Sequence, residues 1–304
     1  MGVHFSKKAE IVKSIVRSLP VRRSQASNWA IKLLGINNNF IGKFLGKKIE
    51  VHPGDPASRS AYFLGFYERE TTLWTIDFIK KTKPSVVFDV GANFGYFMYL
   101  CTTESIKPTI YSFEPDPYNQ EWLKRNIELN SLKQSVKVIE KAVSSKNSRV
   151  SFIPSSPEDG KTLWSRIDSS KDSGESTIEV DAISLDAFCL ENSIDSVDLV
   201  KIDIEGAEGF AIEGMKNGLR DKIYKNILLE VHPYALSEEH SPSNLVKVFT
   251  DNGYAAYQFK QSYNNVNVDK QSETYKLEWS EKYLEKVDPS SNMSDWEHFL
   301  FSAE

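Results

Sequence analysis

The sequence predicts an α/β domain in which helices cover both faces of a mostly parallel β-sheet. Strand-like and helix-like segments alternate from residue 86 to about residue 260, as they do in right-handed strand–helix–strand units. The segment VVFDVGANFGYF, residues 86–97, is typical of a buried strand that ends in a glycine turn and leads into a helix. Ligands of such sheets bind beyond the carboxyl ends of the strands. Further predicted strands end at or near Glu114, Asp203, and Glu230 or His232.

The individual elements are predicted from hydrophobic periodicity and from the residues that end them. Apolar or alternating runs predict strands at 48–52, from residue 86, and at 109–114, 136–139, 142–153, 177–183, 197–203, 226–232, 254–259 and 298–301. Helical spacing predicts helices at 67–80, after Gly95, and at 119–130, 185–190, 208–216 and 245–249. Residues 154–176 are rich in Ser, Pro, Asp and Gly around Trp164, and form either a surface loop or a lid over the substrate.

The chain of 304 residues is predicted to have a basic helical extension, residues 1–50, before a main domain, residues 51–304. The extension has ten Lys and Arg against Glu10 and Glu50, with apolar residues at roughly helical spacing. It either packs on the main domain or lies as a basic amphipathic segment on an anionic membrane surface. The domain core at 67–260 precedes a C-terminal insertion at 262–295. Its aromatic residues either pack on the domain or stack on sugar rings: Tyr263, Tyr275, Trp279 and Tyr283.

Composition narrows the possible compartment and partners. An apolar content of 40% supplies a full core, and a net charge of −5 gives no reason to expect nucleic acid as a partner. Cys101 and Cys189 have no spacing typical of a disulfide framework or a zinc site, which suits a reducing compartment. The sequence shows no apolar run of about 18 residues and no signal-like apolar region at the N-terminus, so we expect a cytoplasmic protein.

The acids at the predicted strand ends indicate which cofactor binds in the crevice beyond those ends. Glu114 lies 19 residues beyond Gly95, where a carboxylate accepts hydrogen bonds from both ribose hydroxyls of an adenosine-containing cofactor. The glycine pattern is G-A-N-F-G, which differs from the G-x-G-x-x-G of dinucleotide sites. Asp89, directly before this turn, would repel a pyrophosphate but suits a cofactor with an amino group and a sulfonium. The charge pattern therefore favours S-adenosylmethionine over a nicotinamide dinucleotide.

Four motifs, VVFDVGANFGYF, FEPDP, VKIDIEGAE and LLEVHP, resemble the FkbM-type family of S-adenosylmethionine-dependent methyltransferases over about residues 67–260. The resemblance implies a class I methyltransferase, with a Rossmann-like seven-stranded sheet whose last strand is antiparallel. It also implies methyl transfer to an oxygen of a sugar, glycan or polyketide-like acceptor. Transferred by position, the resemblance places the cofactor's methionine end among Asp89, Gly91, Asn93 and Gly95, the ribose at Glu114, and the adenine near Lys141 and Ala142.

Methylation of a hydroxyl needs a base beside the acceptor, since an alcohol is a poor nucleophile at neutral pH. His232 at the end of the fifth strand is the first candidate, because its ordinary pKa lies near neutrality. The alternative is that His232 only bonds to local backbone groups before Pro233. Asp203 and Glu205 face the same crevice, where they orient the base, hold acceptor hydroxyls or bind the cofactor's amino group. With Glu230 these acids would also suit a divalent cation, but no spacing is diagnostic and the site is predicted without a metal. His298 is interpreted as structural.

The leading hypothesis is an O-methyltransferase that acts on a sugar or glycan. N-methylation fits the same motifs, because an amine depends less on a base. A nicotinamide-dependent oxidoreductase is disfavoured by Asp89 and by the missing third glycine. A non-catalytic module that binds an adenosine cofactor is disfavoured by the intact acidic strand ends.

Overall fold

The computed structural model describes residues 6–18, 23–33, 35–103, 105–155, 165–168, 176–236, 240–260, 279–287 and 297–304. Its helices are α1 (Lys7–Ser18), α2 (Arg23–Leu33), α3 (Pro56–Phe63), α4 (Arg69–Thr82), α5 (Tyr96–Cys101), α6 (Pro117–Leu129), α7 (Leu185–Glu191), α8 (Glu208–Glu213), α9 (Lys216–Arg220) and α10 (Pro242–Asp251). Its strands are β1 (Phe40–Phe44), β2 (Lys47–Val51), β3 (Val86–Val90), β4 (Thr109–Phe113), β5 (Val136–Ile139), β6 (Ala142–Val143), β7 (Ser148–Ile153), β8 (Arg166–Ile167), β9 (Ile178–Ile183), β10 (Leu199–Ile202), β11 (Asn226–Val231), β12 (Tyr254–Phe259), β13 (Leu284–Lys286) and β14 (Glu297–Ala303).

The main sheet has the strand order β13-β12-β14-β11-β10-β3-β4-β5. Strands β5, β4, β3, β10 and β11 are parallel, and β14 is antiparallel to both of its neighbours, β11 and β12. This confirms the predicted class I methyltransferase topology, including the antiparallel last strand. The difference is β13, an eighth strand within the predicted insertion. It is only three residues long and pairs at the sheet edge, so it gives no periodic signal in the sequence.

Both faces of the sheet are buried, as the predicted alternation requires. Val87, Leu199 and their neighbours on one face pack in a cluster with side chains of α3 to α6. Phe88, Val200 and their neighbours on the other face pack with side chains of α7 to α10. The strand ends therefore remain the open edge at which a ligand can bind.

A second, smaller sheet has the order β6-β9-β7-β8 and contains the extended pieces predicted after residue 142. Its strand β8 lies inside the predicted loop 154–176 and pairs with β7 through Phe152 and Ile167. Most of that segment, including Trp164, lies outside the described residues. The choice between a surface loop and a lid therefore stays open.

The N-terminal region differs from a purely helical extension. After α1 and α2, strands β1 and β2 form a hairpin whose turn, Leu45-Gly46, has positive φ at both residues. The predicted boundary at residue 50 falls inside β2. This strand is fastened to α6, because Arg125 Nε donates to the buried Glu50 carboxylate over 2.7 Å. The division into domains stays a prediction. In the described ranges no helix has both the length and the apolar character needed to cross a bilayer.

Candidate active site

A crevice opens at the carboxyl ends of β3, β4, β10 and β11, with about 1550 Å³ of space including its open mouth. It is lined by every predicted site residue except Gly95: Asp89, Gly91, Asn93, Glu114, Lys141, Ala142, Asp203, Glu205 and His232. Gly95 instead packs toward α6, where an added Cβ would lie 2.6 Å from Leu123 Cδ1. Its small size serves the contact between helices rather than the crevice.

The glycine turn is required by close packing between strands. Gly91 has φ +78°, and a Cβ there would collide with the backbone oxygen of Asp203 at the end of β10. Its N–H donates to Phe113 O over 3.0 Å, and the N–H of Ala92 donates to the same oxygen. These two N–H groups therefore bond the turn after β3 to the end of β4. A glycine at position 91 lets β3 and β10 approach each other where the crevice begins.

Glu114 is held in place by the backbone around it. One carboxylate oxygen accepts from Asn93 N–H over 2.7 Å and the other from Asp116 N–H over 2.9 Å. Burial raises the pKa of Glu114 to about 8, and these two hydrogen bonds oppose the increase. Each carboxylate oxygen has a second lone pair, so the fixed side chain can still accept from two hydroxyls.

Asp89 carries the buried negative charge predicted for a cationic ligand. Its side chain is fully buried, and neither carboxylate oxygen has a hydrogen-bond partner among the described residues. Burial raises the pKa of Asp89 to about 6, and Lys201, at 3.9 Å, opposes that increase. A buried carboxylate without a donor fits an ammonium group, as the methionine end of S-adenosylmethionine provides. The residues present therefore fit the predicted cofactor.

Lys201 is a site residue that the sequence reading missed. The sheet register places it directly opposite Asp89, so both side chains lie on one face. Its Nζ donates to Gly91 O over 2.9 Å and lies 3.2 Å from Asp203 Oδ2. Burial lowers the pKa of Lys201, but Asp203 and Asp89 outweigh burial and hold it above its ordinary value. The available signal was a single lysine inside the buried run VDLVKID.

His232 is oriented by a second residue to which sequence reasoning gave no role. Its Nδ1 lies 2.8 Å from Oε1 of Glu208, a fully buried carboxylate in α8 that also accepts from Gly206 N–H. A carboxylate accepts hydrogen bonds, so Nδ1 carries a proton and Nε2 is the nitrogen that faces the other acids. Nε2 lies 3.6 to 3.9 Å from oxygens of Glu230, Glu205 and Asp203.

Charge around His232 sets its protonation. Burial lowers the pKa of His232, but the hydrogen bond and charge of Glu208, with the charges of Asp203 and Glu205, raise it to about 10. Burial raises the pKa of Glu205 to about 8, an increase that His232 opposes. The imidazole is therefore protonated at neutral pH in the free protein and becomes a base only as that proton leaves.

A second histidine joins the crevice wall. The antiparallel register pairs His298 with Glu230, and Nε2 of His298 lies 3.0 Å from Glu230 Oε2 and 3.4 Å from Glu68 Oε2. Burial lowers the pKa of His298, but Glu230 and Glu68 raise it to about 10. The sequence reading interpreted His298 as structural, whereas the structure places it in the crevice lining. Glu230 thus lies between two imidazoles.

Within the described part of the chain, two groups of side chains have the geometry to hold a cation. The ligand atoms of Asp203, Glu205 and His232 lie within 4.8 Å of one another, and so do those of Glu68, Glu230 and His298. Each group combines two carboxylates with one imidazole. Sequence spacing does not reveal them, because each draws on more than one strand or loop.

The remaining predicted segments are only partly described. Ser165 and Arg166 line the crevice, so part of segment 154–176 reaches the site. Trp279 packs against the core, with its ring centroid 6.1 Å from that of Phe259. Tyr283 lies under the Arg69 guanidinium at 5.4 Å. Tyr263 and Tyr275 fall outside the described residues.

Comparison with known proteins finds one matching family model. The model of the methyltransferase FkbM domain matches residues 89–256, more than half of the chain. The match confirms the resemblance drawn from the four motifs and the predicted cofactor, S-adenosylmethionine. It also decides against the nicotinamide-dependent oxidoreductase.

Similar curated proteins include two methyltransferases. The chain is 26% identical over 155 residues to the 2-O-methyltransferase NoeI of Sinorhizobium fredii, covering 47% of this chain and 62% of that protein. It is 28% identical over 150 residues to the hexuronic acid methyltransferase AglP of Haloferax volcanii, covering 49% and 57% respectively. The chain thus spans less than two thirds of the length of either relative.

Among solved structures, the chain is similar to a crystal structure of methyltransferase FkbM from Methylobacillus flagellatus. The two are 15% identical in sequence, with a TM-score of 0.42, and the match covers 72% of this chain and 44% of that one.

Proposed function

The chain belongs to the methyltransferase FkbM domain family, and on that premise we propose that it methylates a hydroxyl group of a sugar or glycan. The two curated relatives support this acceptor class, since one is named as a 2-O-methyltransferase and the other as a hexuronic acid methyltransferase. The proposal does not include a nucleic acid as acceptor.

We also propose that the protein is cytoplasmic. Two buried free thiols, those of Cys101 and Cys189, suit a reducing compartment.

The observation that carries the proposal is the Glu208–His232 pair. Glu208 holds the Nδ1 proton of His232, so Nε2 is the nitrogen that can take a proton from an acceptor hydroxyl once it has lost its own. The buried carboxylate then stabilises the imidazolium that forms. This orientation matches the need of an alcohol acceptor for a base, whereas an amine acceptor needs one less.

S-adenosylmethionine supplies a methyl group on a positively charged sulfur, which an oxygen nucleophile can attack. Asp89 would hold its ammonium group, Glu114 its ribose hydroxyls, and Lys141 and Ala142 would lie near its adenine. Asp203 and Glu205, beside His232, would orient acceptor hydroxyls toward the base. Positioning of this kind supplies much of the rate of an in-line displacement.

The decisive experiment incubates the full chain with labelled S-adenosylmethionine and separate pools of free sugars, uronic acids, glycans and amines. We expect label in an ether-linked methyl group on a saccharide. Label found only in amines would replace the proposal with N-methylation, and label in none of the pools would contradict the saccharide acceptor. Calorimetry with the cofactor in the same preparation shows whether an inactive sample is folded and able to bind.

A further inference from the structure

Exposed apolar side chains are concentrated at the N-terminal end of the chain. Among the described residues, seven large apolar side chains are exposed, and five of them precede residue 46. These five are Ile11, Ile15, Trp29, Leu33 and Leu45. Trp29 and Leu33 are 78% and 86% exposed, which is unusual for side chains of this size. Leu190 and Tyr234 are the other two.

Helix geometry arranges the residues of α1 into two opposite faces. Ile11 and Ile15 are four residues apart and form one exposed stripe. At 100° per residue, Lys7 and Lys8 fall on either side of this stripe, and both are exposed. In α2, Trp29 and Leu33 have the same spacing, with the exposed Lys32 beside them.

The opposite face of α1 is anchored, so the exposed stripe is not simply the outer side of a loose helix. Ala9, Val12 and Val16 are buried. Arg17 Nε donates to Phe63 O in α3 over 3.0 Å, and Lys13 Nζ donates to Lys43 O in β1 over 3.0 Å. Because Ala57 in α3 lines the crevice, the stripe belongs to a unit that is attached directly to the active site.

The charge of this region identifies the kind of surface that it fits. The first 48 residues contain ten Lys and Arg and one acid, Glu10, although acidic residues outnumber basic ones by five in the whole chain. Exposed apolar side chains flanked by lysines match a bilayer surface that is apolar below its headgroups and negatively charged at them. A second copy of this chain would instead meet its own positive charge.

We propose that Ile11, Ile15, Trp29 and Leu33, with the exposed lysines Lys7, Lys8 and Lys32, form a docking face for an anionic lipid bilayer. The apolar side chains enter the boundary between headgroups and acyl chains, and the lysines contact the anionic headgroups. This proposal does not depend on the acceptor, so vesicle binding tests it even where the saccharide assignment fails.

The test is sedimentation of the full chain with vesicles of phosphatidylcholine, alone or mixed with phosphatidylglycerol. We expect binding to the mixed vesicles, weakening as salt is added, and little binding to phosphatidylcholine alone. The double variant Ile11→Glu/Ile15→Glu should lower binding by about tenfold or more. Its control is Leu190→Glu, which alters a leucine in α7 that is more exposed than either isoleucine, and this variant should bind as the unmodified chain does.

Charge reversal separates the contribution of the lysines to vesicle binding from that of the apolar side chains. Lys7→Glu/Lys8→Glu should also lower binding by about tenfold, whereas Lys146→Glu/Lys216→Glu, at exposed lysines elsewhere, should have a much smaller effect. Equal binding to both kinds of vesicle, or equal losses in test and control variants, would overturn the proposal. The proposal would also be overturned if the chain bound no vesicles and instead formed a dimer in solution that dissociates in the Ile11→Glu/Ile15→Glu variant. Cofactor calorimetry on each variant verifies folding.

Discussion

The two halves of the crevice are built in different ways. Around the turn after β3 and the end of β4, a carboxylate is bonded to backbone groups, because Glu114 accepts from Asn93 N–H and from Asp116 N–H. Around β10, β11 and β14, charged side chains contact one another, as His232 does Glu208 and His298 does Glu230. We call the first half, which contains the residues proposed to bind the cofactor, the cofactor half, and its shape is held by backbone groups. We call the second half, which contains the proposed base, the acceptor half, and it holds a network of charged groups whose protons can move.

This difference separates binding from chemistry. Backbone donors and acceptors keep one orientation, which suits recognition of a cofactor that is the same in every turnover. An imidazole among several carboxylates has a proton content that depends on pH and on its neighbours, which suits proton transfer. Variants in the cofactor half should therefore change affinity for S-adenosylmethionine, and variants in the acceptor half should change turnover.

The largest expected effect is on cofactor affinity, from Glu114→Ala. Above a pH of about 8, where Glu114 is ionised, two hydrogen bonds to this charged group contribute about 3 to 6 kcal/mol in total, so calorimetry at such a pH should show a loss of about two to four orders of magnitude. Glu140→Ala, at an exposed carboxylate beyond β5, should bind as the unmodified chain does. Truncation at position 114 leaves two backbone N–H groups without acceptors, so thermal melting is measured in parallel. Unchanged affinity in a folded variant would contradict the ribose assignment.

The next effect is on turnover, from His232→Ala and Glu208→Gln. Loss of the base should lower kcat by about 10²- to 10⁴-fold, with cofactor affinity retained. Glu208→Gln should lower kcat comparably, because an amide can donate to Nδ1 and so select the wrong imidazole tautomer. Glu208→Asp, which keeps the acceptor, should recover part of the rate.

Full activity in His232→Ala would show that another group of the crevice takes the proton, such as Glu205, which lies 3.7 Å from His232 Nε2. For Glu208, a loss confined to thermal stability, with kcat unchanged in the folded fraction, would reduce its role to packing. Comparison of kcat with KM separates these outcomes. A positioning residue acts on kcat, whereas an acceptor-binding residue acts mainly on KM.

The same contrast explains how far the sequence could predict the molecule. The cofactor half is encoded by short motifs, in which Asp89, Gly91 and Glu114 have local signals, and nine of the ten predicted site residues line the crevice. The acceptor half depends on register between distant strands. His298 meets Glu230 only because β14 pairs antiparallel with β11. Lys201 meets Asp89 only through the pairing of β10 with β3, which no single segment encodes.

A smaller effect, on the pH dependence, is expected from Glu205→Gln. The ascending limb of kcat/KM reports the base in the free enzyme, and the pKa of His232 is about 10. Glu205 is ionised at that pH, and its negative charge, 3.7 Å from Nε2, stabilises the protonated imidazole. Removal of the charge should lower the pKa of His232 and move the limb about one unit toward lower pH. If the ascending limb of kcat/KM stays at the same pH, or moves to higher pH, the assignment of His232 as the base is contradicted.

The smallest effect is expected from a chelator. Nε2 of His232 and of His298 each lie among carboxylate oxygens, and a proton on each nitrogen would balance the negative charge without a metal ion. We therefore expect EDTA to leave kcat unchanged and calorimetry with Mg²⁺ or Mn²⁺ to show no binding. Loss of activity that Mg²⁺ restores would instead assign Asp203, Glu205 and His232 as metal ligands. In that case Asp203→Asn should prevent the restoration, whereas Asp195→Asn, at an exposed position, should not.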